Sequence, residues 1–426
     1  MLIRHGLPEV HAPHRSHRPA VHRYASVPRV RVLLDYRPAL RDRSGVGEST
    51  DQLARALVAT FPRAGAGREL DLTLFSSSWK DRLSLPSELA AGARAVDRRI
   101  PVRLLNFAWQ RLGWPPAEAL AGAAFDVVHS PHPLLLPARH AAQVITIHDL
   151  HFLSHPEHTA GEIRRDYAAL VRSHAHRADR VLTPSRFTAG EIERRLGVAA
   201  DRIAVCPHGA PDWPARPASP RDGYILFVGT LEPRKNIGGL LDAYEMLLRP
   251  AEAGRYVPEA GRDVRGVPEL VLAGKATDAA RPWLDRISRA PLVGHVRAIG
   301  YVDPAARYAL YAGARLLVLP SFEEGFGLPA LEAMTVGVPV VASNRGALPE
   351  VVGDAGLLVE PDQPEALADA MARVLHHEDV AARCASAGLA RAREFNWQST
   401  ARLVYAAYQR AVEQHGAGRT VPGNGR

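Results

Sequence analysis

Glu324 and Glu332 stand eight residues apart in SFEEGFGLPALEAM, residues 321–334. This string directly follows the apolar run RLLVLP, which reads as a strand. Gly325 and Gly327 can bring backbone N–H groups close to a ligand. Pro329 suits the first turn of a helix and Gly337 its end. Glu324 then lies on a loop at the carboxyl end of a strand, where open α/β sheets bind ligands. Glu332 falls in the first turns of the next helix. A carboxylate on each side of a glycine turn can grip the vicinal hydroxyls of a sugar and a ribose, because an unmatched buried polar group is costly. A solvated acidic turn beside a helix-start carboxylate is the plainer reading of such a pair.

Three further clusters occupy equivalent places. VGTLEPRKN, residues 228–236, leaves a strand and enters a helix. Arg234 and Lys235 near that helix start would suit a doubly negative guest such as a diphosphate, since the helix end already favours anions. Lys275 follows the run ELVLAG and is a second candidate for holding an anion. RSGVG, residues 43–47, joins the first strand to the first helix, and Gly45 and Gly47 could admit a phosphate. It matches neither the dinucleotide fingerprint nor a P-loop. In ITIHDLHFLSHPEH, His148 and Asp149 end a strand. An imidazole there can hydrogen-bond a sugar hydroxyl. His151, His155 and His158 follow at spacings that run through Pro156, a poor match to a metal cluster. Ser185 and the turn at 207–210 (PHGA) fall at other strand ends, as cleft residues or ordinary caps.

Elements that would position these residues alternate along the chain. Apolar runs at 29–35, 70–75, 125–129, 143–147, 180–183 and 202–206 are separated by helical stretches near 48–60, 160–177 and 187–196. Residues 211–222 carry four prolines and few core residues, which marks a linker. The pattern restarts at 224–229, 269–274, 296–302, 315–320, 338–343 and 356–360. Strands alternating with helices predict parallel, doubly wound sheets. The boundaries expected are a disordered tail 1–28, a first domain 29–210, the linker 211–222, a second domain 223–395, a helix 396–415 packing back across the linker, and a tail 416–426. Residues 251–267 read as a surface loop.

Composition narrows the class. The 426 residues suit about two domains. Hydrophobic residues at 46% against 23% charged exclude wholesale disorder. Cys206 and Cys384 are the only cysteines, which excludes a disulfide framework and suits a reducing cytosol. The net charge of +8 resembles that of a nucleic-acid binder, but its distribution argues otherwise. Six Arg against Glu9 in 1–31, and three Arg against Glu413 in 409–426, leave the rest of the chain near neutrality. Lys80, Lys235 and Lys275 are the only lysines, and two of them stand in the clusters above. No apolar run long enough to span a membrane is present, and the first thirty residues lack a secretory signal pattern.

Together, Gly45-Val46-Gly47, His148-Asp149-Leu150, residues 229–236 (GTLEPRKN), and Glu324-Gly325-Phe326-Gly327 with Glu332 resemble the retaining, nucleotide-sugar-dependent glycosyltransferases of GT-B fold. The subgroup is the one with a Glu-x7-Glu motif, and the strings are most similar to its mannosyltransferase-like branch. The resemblance covers roughly residues 30 to 415. It implies two Rossmann-like domains facing a central cleft. It implies that Glu332 binds the ribose, that Glu324 binds donor-sugar hydroxyls with the amides of Phe326 and Gly327, and that Leu328 belongs to the donor site. Arg234 and Lys235 would hold the diphosphate, and Gly45 and Gly47 would let the first-domain loop approach it. His148 would contact the sugar near the reacting centre, and Tyr301 and Val302 would lie near the base. No metal or other cofactor is implied. The donor would be a nucleoside-diphosphate sugar, GDP-mannose foremost, and the acceptor a glycan or lipid-linked glycan. One departure is Glu48, where relatives often carry a residue friendlier to phosphate.

The expectation is a cytoplasmic hexosyltransferase without nucleic-acid partners, whose basic tails could rest on the inner membrane face. Rival readings are a nucleotide-sugar epimerase or disaccharide synthase on the same architecture, and a basic nucleic-acid-binding protein.

Overall fold

The computed structural model describes residues 29–40, 45–62, 69–154, 167–249 and 266–419. Among the described residues thirteen strands form two sheets, all but one of them built from apolar β-branched or leucine-rich runs. The first sheet holds β1 (Val30–Asp35), β2 (Leu70–Ser77), β3 (Arg94–Arg98), β4 (Val127–Ser130), β5 (Ala142–Thr146), β6 (Arg180–Thr183) and β7 (Ile203–Val205) in the order β3-β2-β1-β4-β5-β6-β7. The second holds β8 (Tyr224–Val228), β9 (Leu270–Ala273), β10 (Val296–Gly300), β11 (Ala314–Leu319), β12 (Val340–Ser343) and β13 (Leu357–Val359) in the order β10-β9-β8-β11-β12-β13. Every strand pair is parallel. Helices cover both faces, as buried parallel sheets require.

Each sheet reverses its strand order once, between β1 and β4 in the first and between β8 and β11 in the second. Loops leaving strands at such a switch point diverge and open a crevice. The loop after β5 of the first sheet meets the loops after β8 and β11 of the second.

Three boundaries differ from the sequence reading. The first helix spans Val46–Thr60, so Gly47 lies inside its first turn rather than in the loop before it. β3 was not expected: its sequence RAVDR is half exposed and charged, because it is an edge strand with little to bury. The last helix spans Trp397–Arg419 and so runs beyond 415 into the expected tail. It follows the second sheet in the chain but buries Ala401, Val404, Tyr405, Tyr408 and Ala411 in the core of the first. That packing fastens the two halves together. The expected tail 1–28, residues 420–426, His155, His158, and residues 251–265 of the expected loop lie outside the described residues.

Candidate active site

Pro233–Lys235 forms a single helical turn after β8, and Asn236 follows in the left-handed region with φ of 55°. The Asn236 side chain accepts from the Gly239 amide at 3.2 Å and so caps the helix Ile237–Leu248. Arg234 and Lys235 therefore stand in the turn just before that helix. The turn throws them towards the loop after β11. Lys235 is buried and its ammonium donates to Glu324 Oε1. Arg234 Nη1 lies 3.5 Å from Glu324 Oε2 and 4.0 Å from Asp149 Oδ2, while its Nε donates to Glu232 at 2.6 Å. Ser321 Oγ adds a hydrogen bond to Glu324 at 2.8 Å.

Burial alone would raise the Glu324 carboxyl above its ordinary pKa, but Lys235 and Arg234 hold it below. Burial opposes the Arg234 charge, and Glu324, Asp149 and Glu232 more than restore it. The two residues read as diphosphate ligands are thus already engaged with the residue read as the sugar ligand.

Glu332 lies elsewhere in the same crevice, on the helix Leu328–Val336, with Pro329 in its first turn and Gly337 as its left-handed end. Tyr311 donates its hydroxyl to Glu332 Oε2 at 2.7 Å, and Arg307 Nη1 sits 3.1 Å from Oε1. Burial raises the Glu332 carboxyl above its ordinary range against the pull of Arg307 and Tyr311.

Gly325 is needed for a close approach between the two halves. A Cβ there would fall 1.9 Å from the carbonyl oxygen of His148. The glycine-rich turn therefore admits the other domain's backbone, where the sequence suggested a ligand. Gly47 is similar: a Cβ there would meet the Pro38 carbonyl oxygen at 2.5 Å. Around this seam Ser185 donates to the Gly325 carbonyl at 2.8 Å, and the Arg186 amide donates to Glu350 at 2.9 Å. That carboxylate caps the start of the helix Arg186–Glu191 from the opposite domain.

His148 is held by its Nε2 contact with the Pro131 carbonyl at 3.1 Å, and burial lowers its pKa. The His208 ring lies 5.6 Å from that of His148, 5.0 Å from Phe326 and 5.6 Å from Trp397.

A cavity of about 110 Å³ joins the halves; it is lined by Val46, His148, Asp149, Pro184, His208, Arg234 and residues 324–328. His148, Arg234, Glu324, Gly325, Phe326, Gly327 and Leu328 are thus brought together. Gly45, Gly47, Lys235, Lys275, Val302 and Glu332 do not line this cavity. Lys275 is exposed, with its ammonium 5.2 Å from the centre of the Tyr301 ring, and Val302 is half-buried beside it in the chain. The cavity is below the roughly 300 Å³ at which small-molecule sites begin.

Sequence reasoning missed two groups here. Arg307 and Tyr311 carry no local signal, because their partners come from distant segments. At the ends of β1 and β4, buried Asp35 accepts from Arg37 Nη2 at 2.6 Å and faces His132 Nε2 at 3.4 Å. Arg37 also donates to Asn106 at 2.9 Å and stacks 4.7 Å over the Trp109 ring. Among the described residues no group of three or more His, Cys, Asp and Glu is placed to hold a metal ion.

Two facing doubly wound domains thus set cations and buried carboxylates at the switch point of the second sheet, against the strand ends of the first. Comparison with known proteins gives the class. Residues 43–212 match the model of glycosyltransferase family 4, and residues 211–391 match that of glycosyl transferases group 1. The chain is 36% identical over 296 residues to the O-antigen chain mannosyltransferase B of Escherichia coli, covering 66% of this chain and 74% of that protein. It is 29% identical over 405 residues to a glycogen synthase of Mycobacterium tuberculosis, covering 87% and 92%. The sucrose-phosphate synthase structure from Thermosynechococcus elongatus superposes with a TM-score of 0.68 at 22% identity, covering 89% of this chain and 98% of that one. The chain belongs to the group 1, family 4 glycosyltransferases, and its fold is GT-B. It is a glycosyltransferase, and the family implies a nucleotide-sugar donor and a glycan acceptor.

Proposed function

We propose that this enzyme transfers mannose from GDP-mannose, with retention at the anomeric carbon, to a growing polysaccharide or lipid-linked glycan. The observation that carries this reading is the convergence of His148, Arg234 and Glu324 on one cavity, with Lys235 held against Glu324 behind it. Arg234 and Lys235 would neutralise the departing diphosphate, which is where charge grows in the transition state. Glu324 would accept from sugar hydroxyls once the cations turn to the diphosphate. His148, half-buried and with its pKa lowered by burial, would offer its ring to the sugar near the reacting carbon.

In the step itself the anomeric carbon–oxygen bond to phosphate breaks and the acceptor oxygen bonds to the same face. The acceptor proton passes to the leaving phosphate oxygen. Trapping a covalent glycosyl-enzyme would overturn this route. Residues 29–210 would hold the acceptor and 223–395 the donor, joined by 211–222, with the helix from 396 returning across. Mannose is favoured by the similarity to the O-antigen chain mannosyltransferase; the glycogen synthase keeps glucose in contention.

A place at an anionic membrane surface, on the cytoplasmic face, is supported by the first domain as much as by the basic tails. Trp79, Leu104, Phe107, Leu112 and Trp114 are exposed there, interspersed with exposed Arg103 and Arg111. Among the described residues no helix is long and apolar enough to cross a membrane.

The test is a thermal-shift comparison with GDP, UDP, dTDP and ADP, followed by transfer assays with the matching hexose donors. A ligand at about 100 times its Kd adds about 2.7 kcal/mol. Selective stabilisation by GDP and an α-linked mannoside product support the proposal. Selective response to ADP or UDP, with glucose transfer, overturns the donor assignment.

A further inference from the structure

The second carboxylate of the pair shares its arginine with a carboxylate of the other domain. Glu48, in the first turn of the helix Val46–Thr60, is 6% exposed. Its Oε1 accepts from Gln52 at 2.9 Å and lies 3.1 Å from Arg307 Nη2. The other prong of the same guanidinium, Nη1, lies 3.1 Å from Glu332 Oε1. The Trp213 ring of the linker sits 5.9 Å from the Arg307 guanidinium and 5.8 Å from the Tyr311 ring. First domain, linker and second domain thus meet on one arginine. Two polar atoms in the cluster, Glu48 Oε2 and Arg307 Nε, have no hydrogen-bond partner among the described residues.

We propose that Arg307 is a positioning residue for Glu332, and that Glu48 sets it from the facing domain, so that nucleoside binding depends on a charge lent by the acceptor half. This rests on reading Glu332 as the ribose ligand. Each Glu332 oxygen receives one partner, Arg307 on Oε1 and Tyr311 on Oε2. A carboxylate offers about four acceptor positions, so one remains on each oxygen, a fit to two vicinal hydroxyls. Two carboxylates sharing one cation leave a surplus negative charge in a buried place, which hydroxyl donors relieve. The planar fork reaches the two carboxylates from two separate nitrogens, Nη2 and Nη1, a spacing that the single nitrogen of an ammonium does not reproduce. Without Glu48, both prongs of Arg307 would close on Glu332 and occupy the positions that the ribose needs.

The experiment is calorimetric titration of the full chain with GDP and UDP and with their 2′-deoxy forms. The variants are Glu48→Gln, Arg307→Lys, Glu332→Gln and the exchanged pair Glu48→Arg with Arg307→Glu, each checked for an unchanged fold by thermal melting. We expect Glu48→Gln and Arg307→Lys each to weaken the ribonucleotide about tenfold, the scale of one charged hydrogen bond, and to shrink its advantage over the 2′-deoxy form. The exchanged pair should fail to recover affinity, because it sets a carboxylate instead of the guanidinium directly against Glu332. Recovery by the exchanged pair would overturn the proposal, showing a mere brace between domains. So would unchanged affinity in Glu48→Gln, or a loss that leaves the ribose-to-deoxyribose ratio intact. Unchanged affinity in Glu332→Gln, or no binding of either nucleotide by the unaltered enzyme, would remove the ribose assignment itself and this inference with it.

Discussion

Glu324 and Glu332 are the same residue type, eight apart, both more than nine-tenths buried, yet they sit at opposite electrostatic poles of the crevice. Glu324 faces two cations of its own domain, Lys235 and Arg234, and its carboxyl is held below the ordinary range. Glu332 faces one cation that it shares with Glu48, and its carboxyl is pushed up. Burial raises both; the number of cations in reach decides the sign. The difference teaches that the two carboxylates are prepared for different work. Glu324 is kept ionised among the groups that would meet a leaving diphosphate. Glu332 is short of positive partners, a state that neutral hydroxyl donors can satisfy.

The comparison breaks most visibly at the chemical step. Glu324→Gln should lower turnover by about 100- to 1,000-fold, the scale of losing one preorganised electrostatic contact. Steady-state transfer assays beside a thermal melt would check it, and a variant that is mostly unfolded would instead assign Glu324 to structure. At the other pole, Glu332→Gln should weaken nucleoside diphosphate binding by about 1.5–3 kcal/mol while leaving the melting temperature of the free enzyme within a few degrees. Equal affinity by calorimetry would remove the contrast between the two carboxylates.

Gly325→Ala tests the seam between the poles. The added methyl would collide with the His148 carbonyl, so stability should drop by about 1–2 kcal/mol, as in overpacked sites. Denaturant melts that show no loss would mean that the halves separate freely there. The smallest effect expected near neutrality comes from acid. Burial depresses His148 and His208, and brings His129 to about 3 and His174 to about 4. Histidines depressed in the folded state add stability that is present above the unfolded value of about 6.5 and lost as pH falls towards the folded values. All four belong to the first half. Stability should therefore fall by about 1 kcal/mol or more from pH 7 to 6, and further below, with amides of the first sheet exchanging first. Uniform loss of protection across both sheets would count against a histidine origin.

Much of the fold was legible because parallel strands buried on both faces must read as continuous apolar runs. RLLVLP, VPVVAS and YILFVG are of this kind, and they become β11, β12 and β8. β3 escaped because an edge strand with Arg94, Asp97 and Arg98 has no such run. The site was legible where chemistry follows strand ends in sequence, as at residues 228–236 and 321–334. Arg307 escaped because nothing near it in the chain distinguishes it from a solvated helix arginine. The glycines were legible as close approaches, but what approaches Gly325 is the His148 backbone.

The sequence alone determined the two α/β units and which residue types would lie at the strand ends. Those follow from local periodicity and turn chemistry, which act over a few residues. The tertiary structure decided which charge meets which. It set Lys235 and Arg234 on Glu324, and let one arginine bridge Glu48 and Glu332. Coulomb attraction and desolvation act through space, across segments far apart in the chain, so the charge state of a buried carboxylate is a property of the folded crevice and its two facing walls.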